Sequence, residues 1–316
     1  MNQDIISGSQ NKVSVFKALK QIPEELLWRA NFNSINSIET YDKAIHSFLS
    51  FIGISSPQEL REINHGHVIA FKKFLQDKGN SPRTINNRLS AISSLFNHLI
   101  DKQVVKINVA QGVRRMRINS DRVEAKVLSP DEVRKMLDMP DQFKLQGSRD
   151  KAILSTLFFT GCRVSEVCKL KVKDFYQEQG FYLMDFWVKG GKRNRLAINQ
   201  ELQVVVKEYL RLAGHENEKE CFLFLPVKHA PGKSDNNRKM SRKTIDYLFK
   251  KYAKIAVLDG ITPHSARATF ITQALENNCP IEAVQKTVGH SQIKTTQMYD
   301  KRIARYRESA SFAVRY

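Results

Sequence analysis

Two arginines, two histidines and a tyrosine in the second half of the chain have the chemistry to act together on a phosphate. Arg163 and Arg267 each offer a planar fork of donors that stays charged at any working pH, so the pair can hold one phosphate from two sides. His264 stands three residues before Arg267 and just behind Thr262-Pro263, a cap followed by proline at the first helical position. That spacing puts both side chains on one face of a first helical turn, where the helix end itself favours an anion. With a reference pKa near ~6.5, His264 can take a proton from an incoming hydroxyl or hold that proton in place. Tyr299 has an ordinary pKa near ~10 and can attack phosphorus only with help from positive charge or a base. Breaking a phosphodiester places extra negative charge on the non-bridging oxygens, and arginines meet that need. Taken singly, each residue has an ordinary reading as a surface arginine, a capped-helix histidine or a helix-face tyrosine.

Supporting positions surround this set. Glu166 follows Arg163 by three residues and is placed to orient that arginine rather than to do chemistry. Gly289 reads as a left-handed cap that ends a helix and aims His290 sharply. The stretch from Tyr182 to Val188 is rich in aromatic and apolar residues, Gly190-Gly191 signals a turn, and Arg195 to Ile198 alternates back. A hairpin with Lys189 and Lys192 at its tip follows. The oxygen that leaves a phosphodiester needs a proton, and a positioned lysine supplies one at ~10²- to 10⁴-fold benefit.

The elements that must position these residues read as mainly helical. Apolar residues recur at helical spacing over 37–52, with a second helix over 68–76 and a third starting at Ser81-Pro82. The third carries Ile85, Leu89, Ile92, Leu95, Phe96 and Leu99 on one side and Arg83, Asn86, Asn87 and Arg88 on the other. Either solvent or DNA suits that polar face. Residues 113–127 hold Arg114, Arg115, Arg117, Arg122 and Lys126 without apolar periodicity, as in a linker that could lie along a phosphate backbone. Ser129-Pro130-Asp131-Glu132 then opens a new helical region, a helix over 148–159 is broken at Gly161, and Ser241 caps another helix beyond a polar loop at 229–240. The division expected is a polar extension at 1–36, a helical domain at 37–112, a basic linker at 113–127 and a second domain, carrying the candidate phosphate-acting residues, at 128–316.

Composition sets the setting. A formal charge of +19 over 316 residues calls for a polyanionic partner, with nucleic acid the leading candidate. The basic residues are not gathered on one amphipathic segment, so a membrane surface is not the expected partner. No apolar run approaches the ~18 to 20 residues of a spanning helix, and residues 1–14 lack a secretory pattern, so a cytoplasmic protein, associated with the nucleoid through DNA, is expected. The four cysteines lack paired spacing, which argues against a zinc site or a disulfide framework.

Four short segments carry a family resemblance. Thr160-Gly161-Cys162-Arg163-Val164-Ser165-Glu166, Pro263-His264-Ser265-Ala266-Arg267, Val288-Gly289-His290-Ser291 and Thr295-Thr296-Gln297-Met298-Tyr299 resemble, in order and separation, the signature boxes of the tyrosine recombinases, or phage integrases. The helical first third and the basic linker resemble that family's core-binding domain and connector. The resemblance implies that Arg163, His264, Arg267 and His290 hold the scissile phosphate, that Tyr299 is the nucleophile, and that a hairpin lysine is the general acid. Lys189 matches that lysine if the turn is one residue longer than usual; Lys192 fits an ungapped reading, and whichever is not the acid becomes a phosphate contact. Arg83, Asn87, Arg88, Arg114, Arg115, Arg117, Lys192 and Arg193 are the expected DNA contacts. The second box usually keeps bulky residues where Ala266 and Ala268 stand, which separates this chain from the housekeeping chromosome-dimer resolvases.

The expected fold is mainly α, with a helical core-binding domain and an α-rich catalytic domain bearing a small antiparallel hairpin, together forming a C-shaped clamp on DNA. The expected activity is site-specific recombination through a 3′-phosphotyrosine, without metal or other cofactor, by a homotetramer holding two double-stranded sites. The resemblance also implies that the segment 303–316 docks on a neighbouring protomer. A mobile element is the expected beneficiary, through integration and excision or cointegrate resolution, and the chain has no room for a further arm-site-binding domain. Replicon-dimer resolution and nicking and resealing like that of type IB topoisomerases use the same residues. A module that binds DNA without cutting it needs only the charge and the helices.

Overall fold

The computed structural model describes residues 28–32, 34–54, 57–118, 125–188, 191–226 and 238–300. Most of the N-terminal extension, Arg122 in the linker, Lys189 at the hairpin tip and the segment 303–316 lie outside the described residues. The chain divides into two compact units, Met1–Asn119 and Ser120–Tyr316. Among the described residues no helix is long and apolar enough to cross a membrane.

Among the described residues the first unit is built chiefly on α1 (Ile35–Ile52), α2 (His65–Asp77) and α3 (Pro82–Asp101). Asn64 and Ser81 cap α2 and α3 by accepting from the backbone N–H three residues on, and Pro82 occupies a position whose N–H no helix would use. The apolar stripe of α3, Ile85 through Leu99, is buried against Ile45, Phe48 and Leu49 of α1 and Val68, Phe71 and Leu75 of α2. Each such side chain contributes about 1.5–3 kcal/mol by leaving water. Chain beyond α3 packs back on the same core through Val109, Ala110 and Val113. There the Asn86 amide both donates to the Met116 carbonyl at 2.9 Å and accepts from the Met116 N–H at 2.8 Å. Residues through Met116, although basic and aperiodic, are therefore fastened to α3.

The second unit holds α4 (Pro130–Asp138), α5 (Leu145–Thr160), the short α6 (Val164–Val167), α7 (Gln200–Ala213), α8 (Arg242–Ile255), α9 (Pro263–Glu276), α10 (Ile281–Val288) and the short α11 (Ile293–Gln297). The α5 helix is buried on almost every side, with α4, α7 and α9 packed around it. Strands β1 (Phe175–Glu178), β2 (Phe181–Trp187) and β3 (Arg193–Ala197) form an antiparallel sheet in that order. The expected hairpin is β2–β3, registered by Asp185 opposite Arg195 and Trp187 opposite Arg193. One face of the sheet sends Met184, Phe186 and Leu196 into the core. The other carries Tyr176, Asp185, Arg193 and Arg195.

Strand β1 was not expected from the sequence. It has one buried side chain, Phe175, and two exposed polar ones, too few for a legible alternation. Helix α7 has a weak sequence signature, because Val204-Val205-Val206 imitates a strand, whereas Leu202, Val206, Tyr209 and Leu210 make its buried stripe.

Candidate active site

Gly161 ends α5 in the left-handed region at φ 60°, and a Cβ there would lie 2.6 Å from the Phe270 ring, so both backbone and neighbour require glycine. The turn delivers Arg163 to the N-cap of α6. Glu166, only 4% exposed, receives the Arg163 guanidinium on one oxygen and the Arg163 backbone N–H on the other, both at 2.8 Å. The carboxylate thus fixes where this arginine begins and where its charge ends.

Arg267 is 2% exposed and donates to the carbonyl oxygens of Gly161 and Val288, each at 2.7 Å. One guanidinium therefore ties the turn after α5 to the end of α10. Burial, then the neighbouring Arg163 charge, pushes its pKa down to about 10, which leaves it cationic at neutral pH. His264, on the same first turn of α9, faces outward while Arg267 faces in. The Ser265 hydroxyl accepts from the Thr262 N–H at 3.1 Å and closes that helix start. Ala266 and Ala268 are fully buried, one in each of this unit's two apolar clusters. Small residues there let α9 approach its neighbours closely.

Gly289, at φ 64°, caps α10 and turns the chain to His290. The His290 N–H donates to the Gln285 carbonyl at 3.1 Å, its own carbonyl accepts from the Gln285 amide at 3.0 Å, and its Nδ1 lies 2.9 Å from the Thr296 hydroxyl. Burial first, then Arg267, Arg163 and His264, lowers the His290 pKa to about 4, so the ring is neutral at neutral pH. Tyr299 is 8% exposed and sits in the cluster of Ala268, Ile271, Leu275, Val284 and Val288. Burial raises its pKa, while Arg267 and Arg163 oppose that rise, so the resting phenol holds its proton.

Arg267 and Arg163 thus act electrostatically on both His290 and Tyr299, and His264 acts on His290, so groups from four separate stretches of sequence share one field. Lys189 lies outside the described residues. Lys192 is exposed, and its carbonyl accepts from the Val188 N–H at 2.9 Å at the base of the turn. Arg193 pairs instead with Asp185, a fully buried carboxylate that also accepts from Arg195 and from the Tyr176 hydroxyl. In the helical unit, Arg83, Asn87, Arg114 and Arg117 are exposed. Arg88 donates to the Ser47 hydroxyl at 2.9 Å and Arg115 to the Asn86 carbonyl at 3.0 Å, both internal bonds.

An open groove of about 640 Å³ runs past Arg163 and His264 and is lined further along by Ser165, Arg242, Lys243 and Asp246. Arg242 and Lys243 were missed in the sequence; the signal was the Ser241 cap, which makes theirs a positive helix end. Cys162 also borders the groove, but burial pushes its thiol up to about 12, so it is no thiolate.

Sequence comparison matches residues 126–304 to the phage integrase family and residues 19–106 to the phage integrase N-terminal SAM-like domain. A relative described as tyrosine recombinase XerA, from Pyrococcus furiosus, is 31% identical over 243 residues, 77% of this chain and 78% of its own. Tyrosine recombinase XerD from Listeria innocua is 27% identical over 278 residues, covering 84% of this chain and 88% of its own. The fold is similar to that of the XerH site-specific recombinase, solved on a palindromic difH substrate as a post-cleavage complex. Its TM-score is 0.67 at 20% identity, over 89% of this chain and 80% of that one.

Proposed function

The chain belongs to the phage integrase family of tyrosine recombinases, which are DNA strand-exchange enzymes, and on that premise we propose how its own residues divide the work. The observation that carries the reading is the convergence of the four stretches: Arg267 bonds both the turn that leads to Arg163 and the turn that leads to His290, whose ring lies 6.2 Å from that of Tyr299. Arg163 and Arg267 hold the non-bridging oxygens of the scissile phosphate, where charge grows in the transition state. With the Thr296 hydroxyl donating to Nδ1, His290 keeps its proton on Nε2 and donates it to the same phosphate.

The Tyr299 oxygen forms a bond to phosphorus as its proton passes to His264. The bond from phosphorus to the 5′ oxygen breaks, and that oxygen takes a proton from the hairpin lysine, Lys189 in our reading. The products are a 3′ phosphotyrosine and a 5′ hydroxyl. Rejoining reverses each transfer, with the 5′ hydroxyl of a partner strand as attacker, so no nucleotide is consumed. Arg242 and Lys243 hold phosphates flanking the cut, and the exposed Arg83, Asn87, Arg114, Arg117 and Lys192 contribute the wider contact, whereas Arg88, Arg115 and Arg193 are engaged by Ser47, Asn86 and Asp185.

Four protomers on two DNA sites follow as the working assembly, and a mobile element as the beneficiary, since Ala266 and Ala268 replace the bulky residues of the dimer-resolving enzymes. The test is covalent capture. Full-length protein incubated with a nicked random-sequence duplex library should yield a detergent-stable adduct, whose sequenced DNA defines the site. Captured sites at the ends of a mobile element support the reading, and sites in the replicon itself select replicon-dimer resolution. Capture without sequence preference, with relaxation of supercoils, selects a topoisomerase. No adduct at all overturns the assignment of Tyr299.

A further inference from the structure

Strand β3 follows directly on Lys192 and is held from both faces. On one face Arg193 and Arg195 converge on the buried Asp185, which the Tyr176 hydroxyl also joins from β1. On the opposite face Asn194 reaches out of the sheet. Its amide donates to the Thr287 carbonyl at 2.8 Å, at the last turn of α10 and two residues before the Gly289 cap. A Cβ placed on Gly289 would lie 3.5 Å from Val188 and 3.9 Å from the Asn194 amide, so the hairpin base and the His290 turn are in van der Waals reach.

The two sides of that contact are unequally secured. The His290 turn has Arg267 on the Val288 carbonyl, two bonds between Gln285 and His290, and Thr296 on the ring. The hairpin meets the turn through Asn194, which stands opposite Phe186 one pair before the end of the ladder, with Val188 in van der Waals reach beside it. Loss of the Asn194 amide would leave the bonds of the His290 turn in place and remove a side-chain bond that fixes the hairpin's position against it.

We infer that Asn194 is a positioning residue, which registers the lysine-bearing hairpin against the His290 turn so that general acid and phosphate-binding groups meet one phosphate. This rests on the proposed function, because it acts through the hairpin lysine. The bond to Thr287 is a neutral amide-to-carbonyl bond whose worth is geometric, since a sub-ångström drift of the acid weakens proton delivery.

Leaving-group chemistry separates this role from a structural one. In a nicked duplex of the captured site, the 5′ oxygen at the cut is replaced by sulfur. A thiol leaves as its anion with a pKa near ~8.5 and needs no proton donor. Asn194→Ala, and the isosteric Asn194→Asp as a second variant that keeps the volume, should slow adduct formation on the oxygen duplex by about 10- to 100-fold. On the sulfur duplex both should run within about threefold of the wild type, with unchanged gel-shift affinity and melting temperature. Equal losses on both duplexes, or no loss on either, overturn the inference while the proposed function stands. A wild type that forms no adduct on either duplex sinks both.

Discussion

His290 and Tyr299 lie with ring centroids 6.2 Å apart and planes inclined at 22°, so the imidazole and the phenol share one wall. Both are uncharged at neutral pH: burial holds the His290 ring neutral, and it raises the pKa of a Tyr299 phenol that is protonated there in any case. A phosphate entering beside Arg163 and Arg267 changes which charges they face. Tyr299→Phe keeps the ring in its apolar cluster and removes the attacking oxygen. It should abolish the covalent adduct, retain DNA binding, and change stability by less than about 1 kcal/mol. An adduct formed by the phenylalanine variant at the wild-type rate refutes Tyr299 as nucleophile.

The depressed pKa of His290 has a consequence for stability against pH. In the unfolded chain the imidazole takes a proton near ~6.5, whereas the folded one resists until about 4. Between those values the unfolded state binds the extra proton. This residue's contribution is therefore complete above ~6.5 and is lost as pH falls towards 4. In His290→Gln the loss should be smaller by up to one proton's worth of slope. Urea unfolding of both proteins at pH 7.5, 5.5 and 4.5 measures the difference, in which all other titrating groups cancel. Parallel curves mean that the folded histidine is not held neutral.

Arg267→Lys tests a group with two duties. A lysine ammonium keeps the charge but presents it as a point, so it cannot span the Gly161 and Val288 carbonyls as the guanidinium does. One buried carbonyl is left unpaired, at a cost of about 1–3 kcal/mol. The variant should melt lower and form adduct at least about 100-fold more slowly. A melting temperature equal to that of the wild type would falsify the structural duty.

The helical unit offers a contrast between two arginines on one helix. Arg83 is exposed, whereas Arg88 bonds Ser47 of α1. Arg83→Ala should weaken DNA binding evenly across sequences and lower the slope of log affinity against log salt by about one, with stability unchanged. Arg88→Ala should lower stability by about 0.5–1.5 kcal/mol. Titration at several salt concentrations, beside thermal melts, checks both, and an Arg83 variant with an unaltered salt slope removes that residue from the contact set.

What the sequence made legible was local. Ser81, Ser129 and Ser241 head helices because a hydroxyl three residues before a free N–H is a short-range device, and Gly161 and Gly289 mark left-handed turns for the same kind of reason. The bond from Arg163 to Glu166 follows from i, i+3 spacing. What stayed hidden depends on residues far apart in sequence. Nothing near Arg267 announces that its guanidinium ends on Gly161, 106 positions away. Asp185 carries no sequence signal of its own, and its role shows only where three partners from β1 and β3 surround it. Asn194, between two arginines, looks like surface until Thr287 accepts its amide.

The two lysines of the hairpin can be told apart by the atom that leaves. A general acid matters only while the leaving oxygen needs its proton, so Lys189→Ala should lose about 10²- to 10⁴-fold on an oxygen duplex and almost nothing when that oxygen is sulfur. Lys192 is exposed, with its backbone fastened to Val188. As a phosphate contact, Lys192→Ala should show the same modest loss with either leaving atom, and a salt slope lower by about one. Measuring adduct formation for both variants on both duplexes gives four rates. If the sulfur rescue belongs to Lys192→Ala instead, the ungapped alignment of the turn is right and Lys192 delivers the proton.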